Sequence, residues 1–182
     1  MEKIIKFFEF NLELEQIHTF LKIKRNFNND LNLIGCFLKD YLSIQNSGKI
    51  TEDENLYNDF VLFFDKYSKT QTLNEIFYQM YEYSKHYLTI VFEETEDENL
   101  MNALSTINAC FALDCYPFLM ELLDDFKNKR IDSNSFYMML QSIVEVVLKR
   151  YENPKEYNMN LASLGKDINN YILENSSERL AG

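Results

Sequence analysis

The sequence predicts an all-α fold, a single-domain multi-helix bundle of about eight helices, and three observations carry that expectation. Only 4 Gly and 2 Pro occur in 182 residues, too few for the tight turns that a many-stranded sheet needs. Apolar residues recur every three or four positions along most of the chain, which places them on one face of a helix. The pattern Thr-x-x-Glu, a helix-start signal, occurs three times, at Thr51, Thr72 and Thr95. With 46% hydrophobic residues, 15 Phe and 12 Tyr, the chain is too apolar to stay disordered. At this length it can remove roughly 70% of its surface from water.

The first helix is expected over Phe7 to Lys24, where Phe7, Phe10, Leu14, Ile17 and Leu21 repeat at helical spacing. Asn28-Asn29-Asp30 breaks it and offers an N-cap. The next, Leu31 to Ile44, carries Leu31, Ile34, Leu38, Tyr41 and Leu42, and Asn46-Ser47-Gly48 ends it. Three helices should then begin at the Thr-x-x-Glu boxes Thr51–Glu54, Thr72–Glu75 and Thr95–Glu98. In such a box the Thr oxygen accepts from the third helical amide while the Glu reaches back to the cap amide. Ile76, Met80, Tyr83, Tyr87 and Val91 line the second of these helices, and Leu100, Leu104, Ile107 and Phe111 the third. A helix beginning near Pro117 suits proline's tolerance for the first turn and ends at Lys127, Lys129 and Arg130. Asp132 or Ser133 should cap a helix through Phe136, Leu140, Ile143, Val147 and Tyr151, stopped by Pro154. A final, weaker helix is expected over Leu161 to Glu174. Residues 1–175 are thus expected to form the helical domain and 176–182 a frayed polar tail. No Gly- or Pro-rich linker interrupts them. Thr-Glu-Asp-Glu-Asn-Leu recurs at 51–56 and 95–100, but the copies diverge at once, so it reads as two similar helix starts.

Charge is unevenly placed. Residues 51–126 hold 3 basic and 16 acidic side chains, a net of −13 in a chain of net −11, while both flanks are near neutral. Phosphate recognition needs clustered Lys and Arg, so no direct nucleic-acid binding is expected of the middle. Three Cys (Cys36, Cys110, Cys115) and a charged start point to a reducing cytoplasm. No apolar run approaches the ~20 residues needed to span a bilayer.

Chemistry-bearing motifs are scarce. Of the two His, His86 is preceded by Met80, Tyr81 and Glu82, none of them the Arg that a helical Arg–His ribonuclease would place there. Glu15-x-x-His18 matches half of a di-iron bundle motif, but His86 follows Tyr83, so the second half is missing. Cys110 and Cys115 lack the spacing and the second pair of a zinc site. There is no phosphate-binding Gly loop and no Gly-x-Ser-x-Gly elbow. The densest carboxylate run, Glu93-Glu94-x-Glu96-Asp97-Glu98, is expected to be a solvated helix cap. Tyr78, Tyr81, Tyr83 and Tyr87 are expected to pack in the core or on the surface, not to stack bases. No catalytic, cofactor-binding or metal-ligating residue is therefore assigned, and no cofactor is expected. No active site is visible from which to assign an enzyme.

Two segments taken together resemble a known family. One is Asp30-Leu-Asn-Leu-Ile-Gly-Cys-Phe-Leu-Lys-Asp-Tyr-Leu42, followed by Tyr57-Asn-Asp-Phe60. The other is Cys115-Tyr-Pro-Phe-Leu-Met-Glu-Leu-Leu-Asp-Asp-Phe126, then Ile131-Asp-Ser-Asn-Ser-Phe136 and Leu148-Lys-Arg-Tyr151. Their order resembles the central helical region of the GmrSD-type modification-dependent restriction endonucleases, over roughly residues 30–151. The resemblance implies a non-catalytic helical middle domain, in a phage-defence protein, that couples a ParB-like nucleotide domain to an HNH nuclease domain. This chain has neither the Asp-Gly-Gln-Gln-Arg motif of the first nor the His-rich motif of the second. It also has Lys149-Arg150 where two Arg are more usual. Tyr116, Pro117 and Arg150 match the family pattern, and the role it implies for them is to position helices. Partners would be the other domains of a parent protein. The alternative is a stand-alone acidic interaction protein, an antitoxin or DNA-mimic inhibitor, motivated by the −13 middle. A carboxylate metalloenzyme is a third and weaker reading.

Overall fold

The computed structural model describes residues 2–4, 6, 14–28, 30–46 and 51–152, with the backbone alone for 14–18. Every regular element among them is helical: α1 (Leu14–Asn26), α2 (Leu31–Gln45), α3 (Leu56–Tyr67), α4 (Leu73–Phe92), α5 (Glu98–Ala109), a 3-10 turn (Leu113–Cys115), α6 (Tyr116–Lys127) and α7 (Ser133–Glu152). The all-α expectation is met. The helix expected over Leu161 to Glu174, the start of the first helix at Phe7, and the tail 176–182 lie outside the described residues. Among those described, no helix is long and apolar enough to cross a membrane. The chain forms two compact units, residues 1–88 and 89–182. The division falls inside the continuous helix α4, so no linker-like composition marks it.

In the first unit, Asp30 caps α2 by accepting from the amides of Asn32 (2.9 Å) and Leu33 (3.2 Å). The apolar stripe of α2 buries Ile34, Phe37, Leu38, Tyr41 and Leu42. Much of this core is aromatic. Phe37 lies 5.4 Å from Phe27, 5.9 Å from Tyr41 and 5.7 Å from Tyr87, ring centre to ring centre. Tyr41 continues the cluster to Phe63 and Tyr83, and Phe64 to Phe77. Each such pair contributes about 0.5–1.5 kcal/mol beyond its buried area.

The second unit is built around α6. Eight of its twelve residues are buried, the pattern of a helix enclosed on several faces. Leu100, Leu104 and Ile107 of α5 and Phe136, Leu140, Ile143 and Val147 of α7 supply the rest of the core. Phe126 stacks on Phe136 at 4.2 Å.

The three Thr-x-x-Glu boxes meet different fates. At Thr72 the box is complete: the Glu75 amide donates to Thr72 Oγ1 (3.3 Å), and the Thr72 amide donates to Glu75 Oε2 (2.7 Å). At the third box the cap is Asp97, which accepts from the Leu100 amide, while Thr95 Oγ1 accepts from the Asp97 amide. The first box does not form. Thr51 is buried, its amide donates to Ser43 Oγ (3.0 Å), and α3 starts only at Leu56. A tertiary contact has withdrawn Thr51 from the helix end. Asp132 caps α7 through the Ser135 amide (2.7 Å), and Pro117 lies in the first turn of α6.

Two helix ends in the second unit close in the same way. Phe111 (φ 54°) donates to Asn108 O while Ala112 donates to Ile107 O. Lys129 (φ 58°) donates to Phe126 O while Arg130 donates to Asp125 O. Both are Schellman closures with a left-handed residue where Gly is usual.

Candidate functional site

Tyr116, Pro117 and Arg150 lie in the second unit, around the 3-10 turn that leads into α6. Arg150, near the end of α7, pairs with Asp114 of the turn (Nη1–Oδ1 3.0 Å). The Tyr116 hydroxyl donates to Asn108 Oδ1 (2.8 Å). Asn108 in turn donates through Nδ2 to the Ile90 carbonyl (2.9 Å) and to Glu93 Oε1 (3.0 Å). One amide side chain thereby ties the end of α4, the end of α5 and the start of α6. Pro117 needs no amide partner in the first turn of α6. Cys115 sits buried in this joint, and burial pushes its thiol up to about 12. Such a thiol is a packing group and not a nucleophile.

A groove of ≈ 540 Å³ lies between α5 and α7, lined by Asn99, Asn102, Ala103 and Thr106 on one side and Tyr137, Leu140, Gln141 and Val144 on the other. Its polar groups are largely committed. The Tyr137 hydroxyl donates to Asp97, and this bond holds the Asp97 carboxyl below the usual carboxylate range while raising the phenol. Thr106 donates to the Asn102 carbonyl, and Gln141 to Glu145. Tyr137 is the titratable side chain in the lining, and its hydroxyl is engaged by Asp97.

The acidic middle is in large part structural. Asp53, Glu75, Glu82, Glu93, Asp97, Asp114, Asp124 and Asp125 each accept a hydrogen bond from within the chain. That is at least eight of the sixteen acids. Asp125 is the most enclosed, 1% exposed, and Arg130 Nε donates to it at 2.6 Å. Arg130 also pairs with Asp124. In the run at 93–98, Glu93 bonds Asn108, Asp97 caps α5, and Glu94, Glu96 and Glu98 face solvent.

His86 is buried in the first unit, its ring 6.0 Å from Tyr83, more enclosed than a surface or half-buried helix residue. Tyr83 and Tyr87 are core residues, Tyr78 is exposed, and Tyr81 lies beneath Lys85 Nζ at 4.8 Å. Glu15 and His18 lie on α1, where only the backbone is described. Among the described residues, no three His, Cys, Asp or Glu converge as metal ligands would. Asn108 and Tyr137 carry no sequence motif. The polar face of α5 was more legible, since Asn99, Asn102 and Thr106 follow helical spacing.

Comparison of the chain with protein-family models, with curated proteins and with solved structures found no match.

Proposed function

We propose that this chain is a non-catalytic helical module that holds other protein domains in register. In the specific form suggested by its resemblance, it is the helical middle of a modification-dependent, phage-defence endonuclease. There it would relay nucleotide state from a ParB-like domain to an HNH nuclease domain. The observation that supports this reading is the joint at the 3-10 turn. Tyr116 and Arg150, two of the residues shared with the family, are engaged there in ties between helices, through Asn108 and Asp114. A part that transmits force or position needs such rigid joints.

The test is biochemical. The purified chain should neither hydrolyse nucleoside triphosphates nor cut modified DNA, and should bind separately produced ParB-like and HNH domains. Hydrolysis or cleavage by the chain itself overturns the proposal. The alternative, an acidic partner for a basic protein, rests on the exposed Glu94, Glu96 and Glu98 and on Glu52, Asp53 and Glu54. It is weakened by the number of acids already bonded internally. Selective capture of a basic nuclease, lost when Glu94, Glu96 and Glu98 are changed to Gln, would favour it.

A further inference from the structure

We propose that the groove between α5 and α7 receives an extended, basic peptide segment of a partner protein, with its backbone on Asn99 and Asn102 and its cations at the two ends. This inference does not depend on the coupling role. Both walls of the groove belong to the second unit, and they enclose one continuous space of ≈ 540 Å³, within the range of about 300–1,000 Å³ usual for ligand sites. Buried Leu140 and half-buried Ala103 and Val144 give it an apolar floor, and exposed Asn99, Asn102 and Gln141 stand at its edges. Among the described residues, the Asn99 and Asn102 carboxamides have no hydrogen-bond partner. A carboxamide presents a donor and an acceptor in one plane, the same pair that a peptide bond presents. An extended chain has free backbone groups to meet them. A helical ligand has already spent its own on internal bonds.

Charge complementarity sets the sign of the occupant. α5 and α7 carry no Lys or Arg ahead of Lys149, so neither wall offers a cation to a phosphate or a carboxylate. Two carboxylates stand one hydrogen bond from the lining instead. Asp97 accepts from the Tyr137 hydroxyl and Glu145 from Gln141 Nε2 (3.3 Å). The Tyr137 bond keeps the Asp97 carboxyl below the usual carboxylate range, so it is anionic at neutral pH. From Tyr137 to Glu145 the helix rises about 12 Å. Four residues of extended chain cover about 13 Å, and side chains four apart on a strand share one face. Two basic residues at that spacing therefore reach both ends at once. The half-buried Tyr137 ring adds a face on which a guanidinium can stack.

The probe is the peptide acetyl-Ala-Arg-Ala-Val-Ala-Arg-Ala-amide, titrated into the isotope-labelled full chain and followed by amide chemical shifts. Saturable shifts should concentrate at residues 97–106 and 137–145. Asn102→Leu, which leaves the charge unchanged, should weaken binding by up to about tenfold through the lost hydrogen bonds. Glu145→Gln should weaken it severalfold, and the paired change Glu52→Gln and Glu54→Gln should leave it as it was. The same peptide with Glu in place of both Arg should not bind. Four results overturn the proposal: no shifts at millimolar peptide, shifts centred on other acidic surfaces, parental affinity in Asn102→Leu, or spermine matching the peptide at the groove (which assigns it to a small polycation). Asn99→Leu supplies the same readout should Asn102→Leu lose its helical circular dichroism.

Discussion

In the first unit Phe37 is fully buried among Phe27, Tyr41 and Tyr87, and one ring leads to the next through the core. In the second unit the rings are fewer, and single polar side chains do the joining. Asn108 ties Ile90, Glu93 and Tyr116; Tyr137 holds Asp97; Arg130 holds Asp124 and Asp125; Arg150 holds Asp114. Ring contacts depend on shape and volume and tolerate small adjustments. Hydrogen bonds demand particular atoms at particular distances, and losing one partner strands the other. The first unit should therefore respond to changes of volume and the second to changes of chemistry at constant volume.

The largest expected effect tests the ring cluster. Phe37→Ala should cost about 3–5 kcal/mol of stability, measured by urea unfolding, because it opens a cavity among rings that cannot fully collapse. Phe37→Leu, which keeps most of the volume, should cost far less. Next, Asn108→Ala should cost about 1–3 kcal/mol by removing the acceptor of the Tyr116 hydroxyl and the donor to the Ile90 carbonyl. Faster amide exchange confined to residues 90–120 would locate the damage. Asn108→Leu, similar in volume, should rescue little. If it rescued most of the loss, the contrast between the units would fail.

Smaller effects sharpen the account of the helix ends. Thr72→Ala should cost about 1 kcal/mol by removing a complete capping box. Thr51→Val should be neutral or stabilising, because Thr51 Oγ1 is buried with no hydrogen-bond partner among the described residues. Equal losses from the two substitutions, read from thermal melts, would refute the distinction between the boxes.

The pH dependence has a specific source in Asp40. Burial raises its carboxyl from the ordinary 3.8 to about 7, with Lys39 opposing the shift. A carboxyl with a raised folded pKa favours folding in its protonated form. Its contribution is full below the unfolded value and is lost as pH rises through the folded one. Asp40→Asn should therefore match the parent's stability near pH 4 and exceed it above pH 7, as read from melting temperatures across that range.

Much of the helical pattern was legible because it rests on local rules. Asp30, Asp132 and Pro117 stand where caps and first turns need them, and the stripe Phe136, Leu140, Ile143, Val147 is the buried face of α7. The capping boxes mark the limit of that legibility. All three have the same Thr-x-x-Glu spacing, yet a contact with Ser43 removes Thr51, and Asp97 displaces Thr95 as the cap. The first outcome turns on Ser43, eight residues back, and the second on a choice between two neighbouring acceptors that the spacing alone does not make. The joint around Asn108 was invisible for a related reason: a lone Asn on a helix says nothing about the Tyr eight residues on, or the carbonyl eighteen residues back, that it will bond.

The scarcity of glycine has its own consequence. Because Phe111 and Lys129 occupy left-handed positions that Gly would fill with less strain, the molecule retains untapped thermal tolerance at its own helix ends. Lys129→Gly should release about 1 kcal/mol of it, visible as a higher melting temperature. Phe111→Gly should gain less, or lose, if the ring has a contact to keep, so the difference between the two would measure what that aromatic side chain is worth.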